Sequence, residues 1–233
     1  MAVAIITGGS KGFGRALASD LARDGWDLVI DARRADELET AANELRTFGT
    51  TVHAIAGDVV DAAHREQLVE AAHSLGRLDL LVNNASTLGP TPLPALRNYP
   101  IDALEQVYRI NVVAPLALVQ RALPLLHAVN GTVVAITSDA AVEDYEGWGG
   151  YGSSKAALEQ LHHVLAAEQP DLHVYWFDPG DMRTEMHQDA FPGEDISDRP
   201  EPETAVPALR RLIFDRPASG RYRAADVTSG VTS

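Results

Sequence analysis

The sequence predicts a single doubly wound α/β domain, a parallel sheet with helices on both faces. Short apolar runs alternate with amphipathic helical segments from the first residues to beyond residue 170, which is how a parallel sheet with crossover helices is written. Polar and glycine-rich segments follow the ends of the apolar runs, where open doubly wound sheets bind ligands. The chain has 233 residues, 45% of them hydrophobic. That supplies one large core, and no shift in composition marks a second, so residues 1–233 read as one domain.

The elements follow in order. Val3 to Thr7 is apolar and ends in Gly8-Gly9-Ser10-Lys11-Gly12-Phe13-Gly14; Arg15 to Arg23 then carries Leu17 and Leu21 at helical spacing. This reads strand, glycine turn, helix. Asp27 to Asp31 is a second buried strand, and Ala35 to Arg46 a polar helix with Leu38, Ala41, Ala42 and Leu45 on one face. Val52 to Ala56 is a third strand, Asp61 to Leu75 a helix, and Leu78 to Val82 a fourth strand ending at Asn83-Asn84-Ala85-Ser86. Pro90, Pro92, Pro94 and Pro100 make the next stretch a surface loop before a long helix from Ile101 to Ala128. Pro115 lies inside that helix without an amide hydrogen, so the carbonyl four residues back, on Asn111, loses its usual partner and can hold a water.

Gly131 to Thr137 is the fifth strand, ending at Ser138. An acidic, glycine-rich loop (Asp139 to Gly150) leads to a helix carrying Tyr151 and Lys155, and Leu172 to Phe177 is a sixth strand ending at Asp178-Pro179-Gly180. Residues 181–202 have mixed charge, little periodicity and several prolines, and read as a mobile flap. Glu203 to Asp215 is a last helix, Gly220 to Val227 a short final strand, and Thr228 to Ser233 a frayed tail.

Charge and composition narrow the partners. With 19 basic and 33 acidic residues the formal net charge is −14, which argues against nucleic acid or an anionic membrane. No cysteine is present, so thiolate chemistry and disulfides are excluded and a reducing compartment fits. The opening residues look like a strand rather than a basic region ahead of a long apolar run, so a soluble cytoplasmic protein is expected. The eight histidines are scattered without paired ligand spacing, and no metal site is expected.

Two segments carry chemistry. The glycine turn follows a strand and opens a helix, which lets the backbone approach a pyrophosphate and offers it amide hydrogens and the positive end of a dipole. A tight turn without ligand is the plain alternative. Tyr151 and Lys155 share one face if their segment is helical. A free phenol, with a pKa of about 10, is a poor acid or base near neutrality, and a neighbouring ammonium favours the phenolate. Taken alone the pair equally describes surface packing.

Thr7-Gly8-x-x-x-Gly12-x-Gly14, Asn83-Asn84-Ala85, Ser138, Tyr151-x-x-x-Lys155 and Pro179-Gly180 stand in the order and approximate spacing of a known family. From residue 2 to about residue 225 the chain resembles the compact short-chain dehydrogenase/reductases. The resemblance implies a Rossmann-like doubly wound sheet of about seven strands. Gly8, Gly12 and Gly14 would surround the cofactor pyrophosphate, with Ser10, Lys11 and Phe13 in the same cofactor-binding turn. Asn84 and Ala85 would steady the sheet and line the cofactor pocket, Asp58 and Val59 would lie by the adenine, and Pro179, Gly180 and Thr184 would flank the nicotinamide. Ser138 would bind the substrate oxygen and Tyr151 would give or take the proton. Lys155 would tune Tyr151 and hold the ribose, and the Asn111 carbonyl would anchor a relay water.

By register Ala32 stands where NAD-preferring members carry an acidic residue, and Arg33 follows. An arginine grips a 2′-phosphate with a planar fork and Lys11 adds a second charge, so NADP(H) is expected over NAD(H). Asp31, one residue earlier, is the competing carboxylate. The plain reading of Arg33 and Arg34 is an exposed pair where a helix begins. Glu146, Trp148, Met182, Met186 and His187 flank the expected crevice. The Ala156, Ala157, Leu158, Leu161 and Leu165 face packs in the core or on a second subunit, and a homodimer or homotetramer through the two long helices is implied. The resulting expectation is an NADP(H)-preferring oxidoreductase acting on a small carbonyl or secondary alcohol. A regulatory nucleotide-binding protein, or a non-redox dehydratase or epimerase, on the same fold is the alternative.

Overall fold

The computed structural model describes residues 1–229. Seven strands, β1 (Val3–Ile6), β2 (Asp27–Ala32), β3 (Val52–Ala56), β4 (Leu80–Asn83), β5 (Thr132–Ile136), β6 (His173–Asp178) and β7 (Gly220–Arg223), form one sheet in the order β3-β2-β1-β4-β5-β6-β7. Every pairing is parallel, as crossover helices require.

Side-chain alternation divides the core between the two faces of the sheet. Ala4 and Ile6 of β1 point to one side, with Leu28 and Ile30 of β2 and Leu80 and Val82 of β4. That face is covered by α1 (Gly12–Arg23), α2 (Ala35–Arg46) and α8 (Val206–Asp215), through Leu17, Leu21, Leu38, Leu45, Leu209 and Leu212. Val3, Ile5, Val29 and Leu81 point the other way. There α3 (Ala62–Ser74), α5 (Ala114–His127) and α6 (Gly149–Glu168) bring Leu68, Leu118, Leu126 and Leu165. The period of two in the strands and of 3.6 in the helices thus yields two cores from one sheet.

The expected single helix from Ile101 to Ala128 is three pieces. An α4 helix (Ile101–Tyr108) runs into a widened π-helical turn at Arg109–Val113 before α5 begins. The reason is Pro115, which cannot donate within a continuous helix and instead occupies the first turn of α5, where no donor is needed. By length and composition the 27-residue span Ile101–His127 could cross a membrane, but half of its apolar window is buried within the protein, as in a core helix.

Three further expectations change near the C-terminus. The segment read as a flap contains α7 (Glu185–Ala190), too short to leave a periodic trace, with the Thr184 hydroxyl accepting from the His187 amide. The Arg183 amide donates to Pro200 O at 2.8 Å and ties the two ends of this segment together. The final strand stops at Arg223, and α9 (Ala224–Ser229) replaces its expected second half. There the Val227 carbonyl accepts from Arg211 of α8 rather than from a strand. Of the expected tail, Thr228 and Ser229 end α9, and residues 230–233 lie outside the described residues.

The start of α6 decides where Tyr151 sits. A Cβ added to Gly152 would lie 2.4 Å from the main-chain oxygen of Ala140, so only glycine lets the helix press against the turn that follows β5. Main chain cannot swing away as a side chain can, and overpacking of this kind costs about 1–3 kcal/mol. Gly152→Ala is therefore expected to lower Tm by several degrees, at about 2–4 °C per kcal/mol for a chain of this size. A thermal melt followed by circular dichroism checks it, and an unchanged Tm would deny the close approach.

Candidate functional site

One cleft of about 720 Å³ runs across the carboxyl ends of the central strands. Its floor is built where β1 and β4 end side by side. The Thr7 hydroxyl accepts from the amides of Asn84 and Ala85, both at 3.0 Å, while the Asn84 side chain donates to Thr7 O at 2.8 Å and Gly8 O at 3.1 Å. Asn84 thus closes the strand ends. Gly14 is needed here for space, because an added Cβ would fall 2.5 Å from both Asn84 Nδ2 and Gly8 O. Gly12 differs: its φ of +56° suits glycine, and a Cβ there would meet only Thr184, at 3.6 Å. The turn therefore presents bare backbone to the cleft at the N-terminus of α1, a fit for a pyrophosphate.

Asp31 is buried, and both of its oxygens are engaged. Oδ1 accepts from the Gly8 amide at 2.7 Å and Oδ2 lies 2.9 Å from His64 Nε2 on α3. The carboxylate that competed with Arg33 for the ribose is thus held within the glycine turn. Arg33 is exposed and lines the cleft, and among the described residues it forms no ion pair. Lys11 pairs with Glu185 and Arg34 with Glu37. Asp58 and Val59 line the same end. Ser10 is buried at the cleft wall, while the Phe13 ring turns into the core and stacks on Phe177 at 6.0 Å, leaving its main chain to the cleft.

At the other end stand Ser138, Tyr151 and Lys155. α6 places the last two on one face, with Lys155 Nζ 5.4 Å from the Tyr151 ring centroid. Lys155 is buried and donates to Ile136 O at 2.8 Å. Burial pulls its ammonium down to about 7, against the upward pull of Glu159. Burial likewise dominates at Tyr151 and pushes the phenol up; hydrogen-bonding hydroxyls of Ser138 and Ser86 oppose it, and the carboxylates of Asp178 and Asp139 add to it. The expected lowering of the phenol by Lys155 does not appear among the chain's own groups, where desolvation dominates. Ser138 Oγ donates to Asp139 Oδ1 at 2.9 Å and accepts from the Ala140 amide at 3.2 Å.

Asn111 sits apart from the cleft, fully buried in the π-helical turn. Its oxygen accepts from Ser86 Oγ and the Thr87 amide, and its nitrogen donates to Thr87 O and to Ser154 Oγ, at 2.9–3.1 Å. Ser154 in turn donates to Tyr151 O at 2.6 Å. The Asn111 side chain therefore ties the loop after β4 to the helix that carries Tyr151. Pro179, Gly180 and Thr184 line the cleft opposite the glycine turn.

Sequence reasoning missed the polar layer behind the site. Arg221 of β7 donates to Glu159 Oε1 at 3.0 Å, and to Asp178 Oδ2 and Ser138 O, both at 3.2 Å; Thr137 Oγ1 also reaches Glu159, at 2.7 Å. One guanidinium thus joins three strand ends and α6. Its partners lie 43 to 83 positions away, so no local spacing could reveal them. Among the described residues no group of histidine, cysteine or acidic side chains could hold a metal.

Comparison with known proteins agrees with this architecture. The family profile described as short chain dehydrogenase matches residues 2–195. Mouse sepiapterin reductase is 34% identical over 200 residues, covering 80% of this chain and 77% of that protein. A short chain dehydrogenase from Shigella flexneri solved with NADP superposes with a TM-score of 0.90 at 29% identity, over 96% of this chain and 97% of that one. An alcohol dehydrogenase from the archaeon Thermococcus sibiricus solved with 5-hydroxy-NADP gives a TM-score of 0.86 at 28% identity, over 96% and 95%. The strand order, the glycine turn at the β1–β4 crevice and these likenesses agree along most of its length, and the chain belongs to the short-chain dehydrogenase family of NAD(P)H-dependent oxidoreductases.

Proposed function

We propose that this protein is an NADP(H)-preferring carbonyl reductase, or alcohol dehydrogenase in the reverse direction, with Tyr151 as its acid/base group. The observation that carries the reading is one cleft with the glycine turn and Arg33, which forms no ion pair among the described residues, at one end and Ser138, Tyr151 and Lys155 at the other. When bound, the nicotinamide supplies or accepts the hydride.

The chain's own groups manage the oxygen. Ser138 turns its hydroxyl from Asp139 to the substrate oxygen, and Tyr151 gives that oxygen a proton as negative charge builds on it. Burial keeps the phenol in the protonated form but makes it a weaker acid, so positive charge on Lys155 is needed to bring it toward the working range. Lys155 holds the ribose hydroxyls and returns positive charge toward Tyr151. The Asn111 carbonyl, in the widened turn before Pro115, anchors a water that resupplies the proton, while the Asn111 side chain positions α6. Gly8 to Gly14, with Ser10, Lys11 and Phe13, form the phosphate turn; Asp58 and Val59 receive the adenine; Asn84 and Ala85 line the floor; Pro179, Gly180 and Thr184 hold the nicotinamide side. The substrate is a small molecule. Exposed Ile101, Val113 and Val164 on the long-helix side support a homodimer or homotetramer, and a cysteine-free chain suits the cytoplasm.

Preference for NADP(H) is supported by Arg33, which forms no ion pair among the described residues, while both oxygens of Asp31 are already engaged by the Gly8 amide and His64. A charge-assisted hydrogen bond is worth about 1.5–3 kcal/mol, so Arg33→Ala should cut kcat/KM for NADPH roughly ten- to a hundredfold and leave that for NADH little changed. Comparing both cofactors with one ketone measures this, and a wild-type preference for NADH overturns the assignment. Tyr151→Phe should lower carbonyl-dependent NADPH oxidation by about 10²–10⁴-fold while NADPH still binds in a fluorescence titration. Retained turnover would remove Tyr151 from its role.

The Lys155 ammonium near 7 gives a signed pH effect. Ribose hydroxyls that accept from it favour the charged form, so its pKa rises on binding and NADPH binding takes up protons above neutrality. Affinity should therefore fall as pH rises from about 7 through the raised value. Calorimetry in buffers of different ionisation enthalpy at about pH 8 should show proton uptake, lost together with part of the affinity in Lys155→Met. Unchanged affinity and uptake in that variant would refute the dual role.

A further inference from the structure

The two ends of the cleft differ in charge as well as in position. Lys11, Arg33 and Arg34 line the glycine-turn end. Beyond Tyr151 the wall is apolar: Leu88, Trp148, Met186 and Ala190 pack around Tyr151 in one cluster and all line the cleft. Trp148 meets Tyr151 edge-on, with centroids 5.7 Å apart and planes at 71°, and is backed by Phe191 at 5.9 Å. Held from two sides, the indole is a fixed wall beside the phenol.

The arginines that reach the polar groups around this end are paired with carboxylates. Arg183 pairs with Glu201, Arg199 with Asp181 and Asp198, and Arg221 with Glu159 and Asp178. Lys155 lies buried beside Tyr151 and donates to Ile136 O. Two carboxylates line the cleft here: Asp181 is shared with Arg199 and His187, whereas Asp139 pairs with no cation among the described residues and accepts from Tyr145, which lies 6.4 Å from Trp148. Glu143, Asp144 and Glu146, in the loop leading to Trp148, are exposed and form no ion pair among the described residues.

We infer that the substrate is a neutral carbonyl compound bearing an aromatic or other planar apolar group, packed on Trp148 and Met186, and that negatively charged carbonyl compounds are rejected. This rests on the carbonyl-reductase reading. An aryl group leaves water for an aromatic and thioether surface. An anion in the same place loses its hydration, finds no uncompensated cation and faces several carboxylates.

A matched series tests it: 4-methylacetophenone, 4-acetylbenzoate and the small ketone 2,3-butanedione, each with NADPH. The neutral aryl ketone should exceed the carboxylate in kcat/KM by at least tenfold. Trp148→Ala should reduce the ratio of aryl ketone to butanedione about tenfold, and Asp181→Asn should narrow the gap between neutral and carboxylate ketones. Equal or faster turnover of the carboxylate, or an unchanged ratio in Trp148→Ala, overturns the inference. Calorimetric binding of the two aryl ketones to the NADP⁺ complex separates this from the reductase reading. Selective binding of the neutral ketone without turnover of any ketone would keep the subsite and defeat the reductase reading. Turnover of butanedione with no preference between the aryl ketones would do the reverse.

Discussion

The side-by-side endings of β1 and β4 impose the constraint on which the site depends. Parallel strands finish on the same edge of the sheet, and the chains leaving them turn to opposite faces, so main-chain donors and acceptors at this edge need partners. Thr7, Asn84 and Asp31 supply them. Once those three side chains have closed the strand ends, and the Gly9 amide has bonded to Asp31 O, the glycine turn has a fixed path along the cleft. His64 acts one step further back, because it meets Asp31 from α3 and so couples the far side of β2 to the Gly8 amide.

At the opposite end the governing effect is burial. Lys155 and Tyr151 are held together out of water, and desolvation moves both toward their neutral forms. A lysine and a tyrosine four residues apart on an exposed helix would keep ordinary values; the same pair under the sheet becomes responsive to any charge brought nearby. The Arg221 layer matters here. Glu159 lies one turn along α6 from Lys155 and Asp178 lies at the end of β6, and one guanidinium balances both while also holding Ser138 O. Without it, Glu159 would keep only the Thr137 hydroxyl and Asp178 only the Gly180 amide and the more distant Arg223, leaving both carboxylates poorly compensated behind Ser138 and Tyr151. β7 thus serves the site as well as the sheet edge.

Much of this was legible from residues alone because the relevant signals are local. The strand, glycine turn and helix from Val3 to Arg23 show their periodicities in one short window, and Tyr151 to Lys155 needs only a helix to become neighbours. The elements misjudged were those whose conformation is set by distant partners or by a single turn. The π-helical turn at Arg109–Val113 depends on where Pro115 falls relative to the packed ends of α4 and α5. α7 is one short helix fixed by Thr184, and α9 begins where β7 loses its partner on β6.

The order of strands and helices, the parallel sheet, the glycine turn and the shared helix face of Tyr151 and Lys155 follow from periodicity and spacing along the chain, since each is a property of consecutive residues, whereas Ser138 joined them only through the family resemblance. Which side chains are charged, paired or available does not. Asp31 and Arg33 stand two positions apart at the same cleft, yet His64 and the Gly8 amide bury one and engage both its oxygens, while the other stays exposed. Trp148 is fixed by Phe191, and Ser138 is held through Arg221, 83 positions away. Those relations depend on burial and on long-range contacts, and they exist only once the sheet has brought its strand ends together.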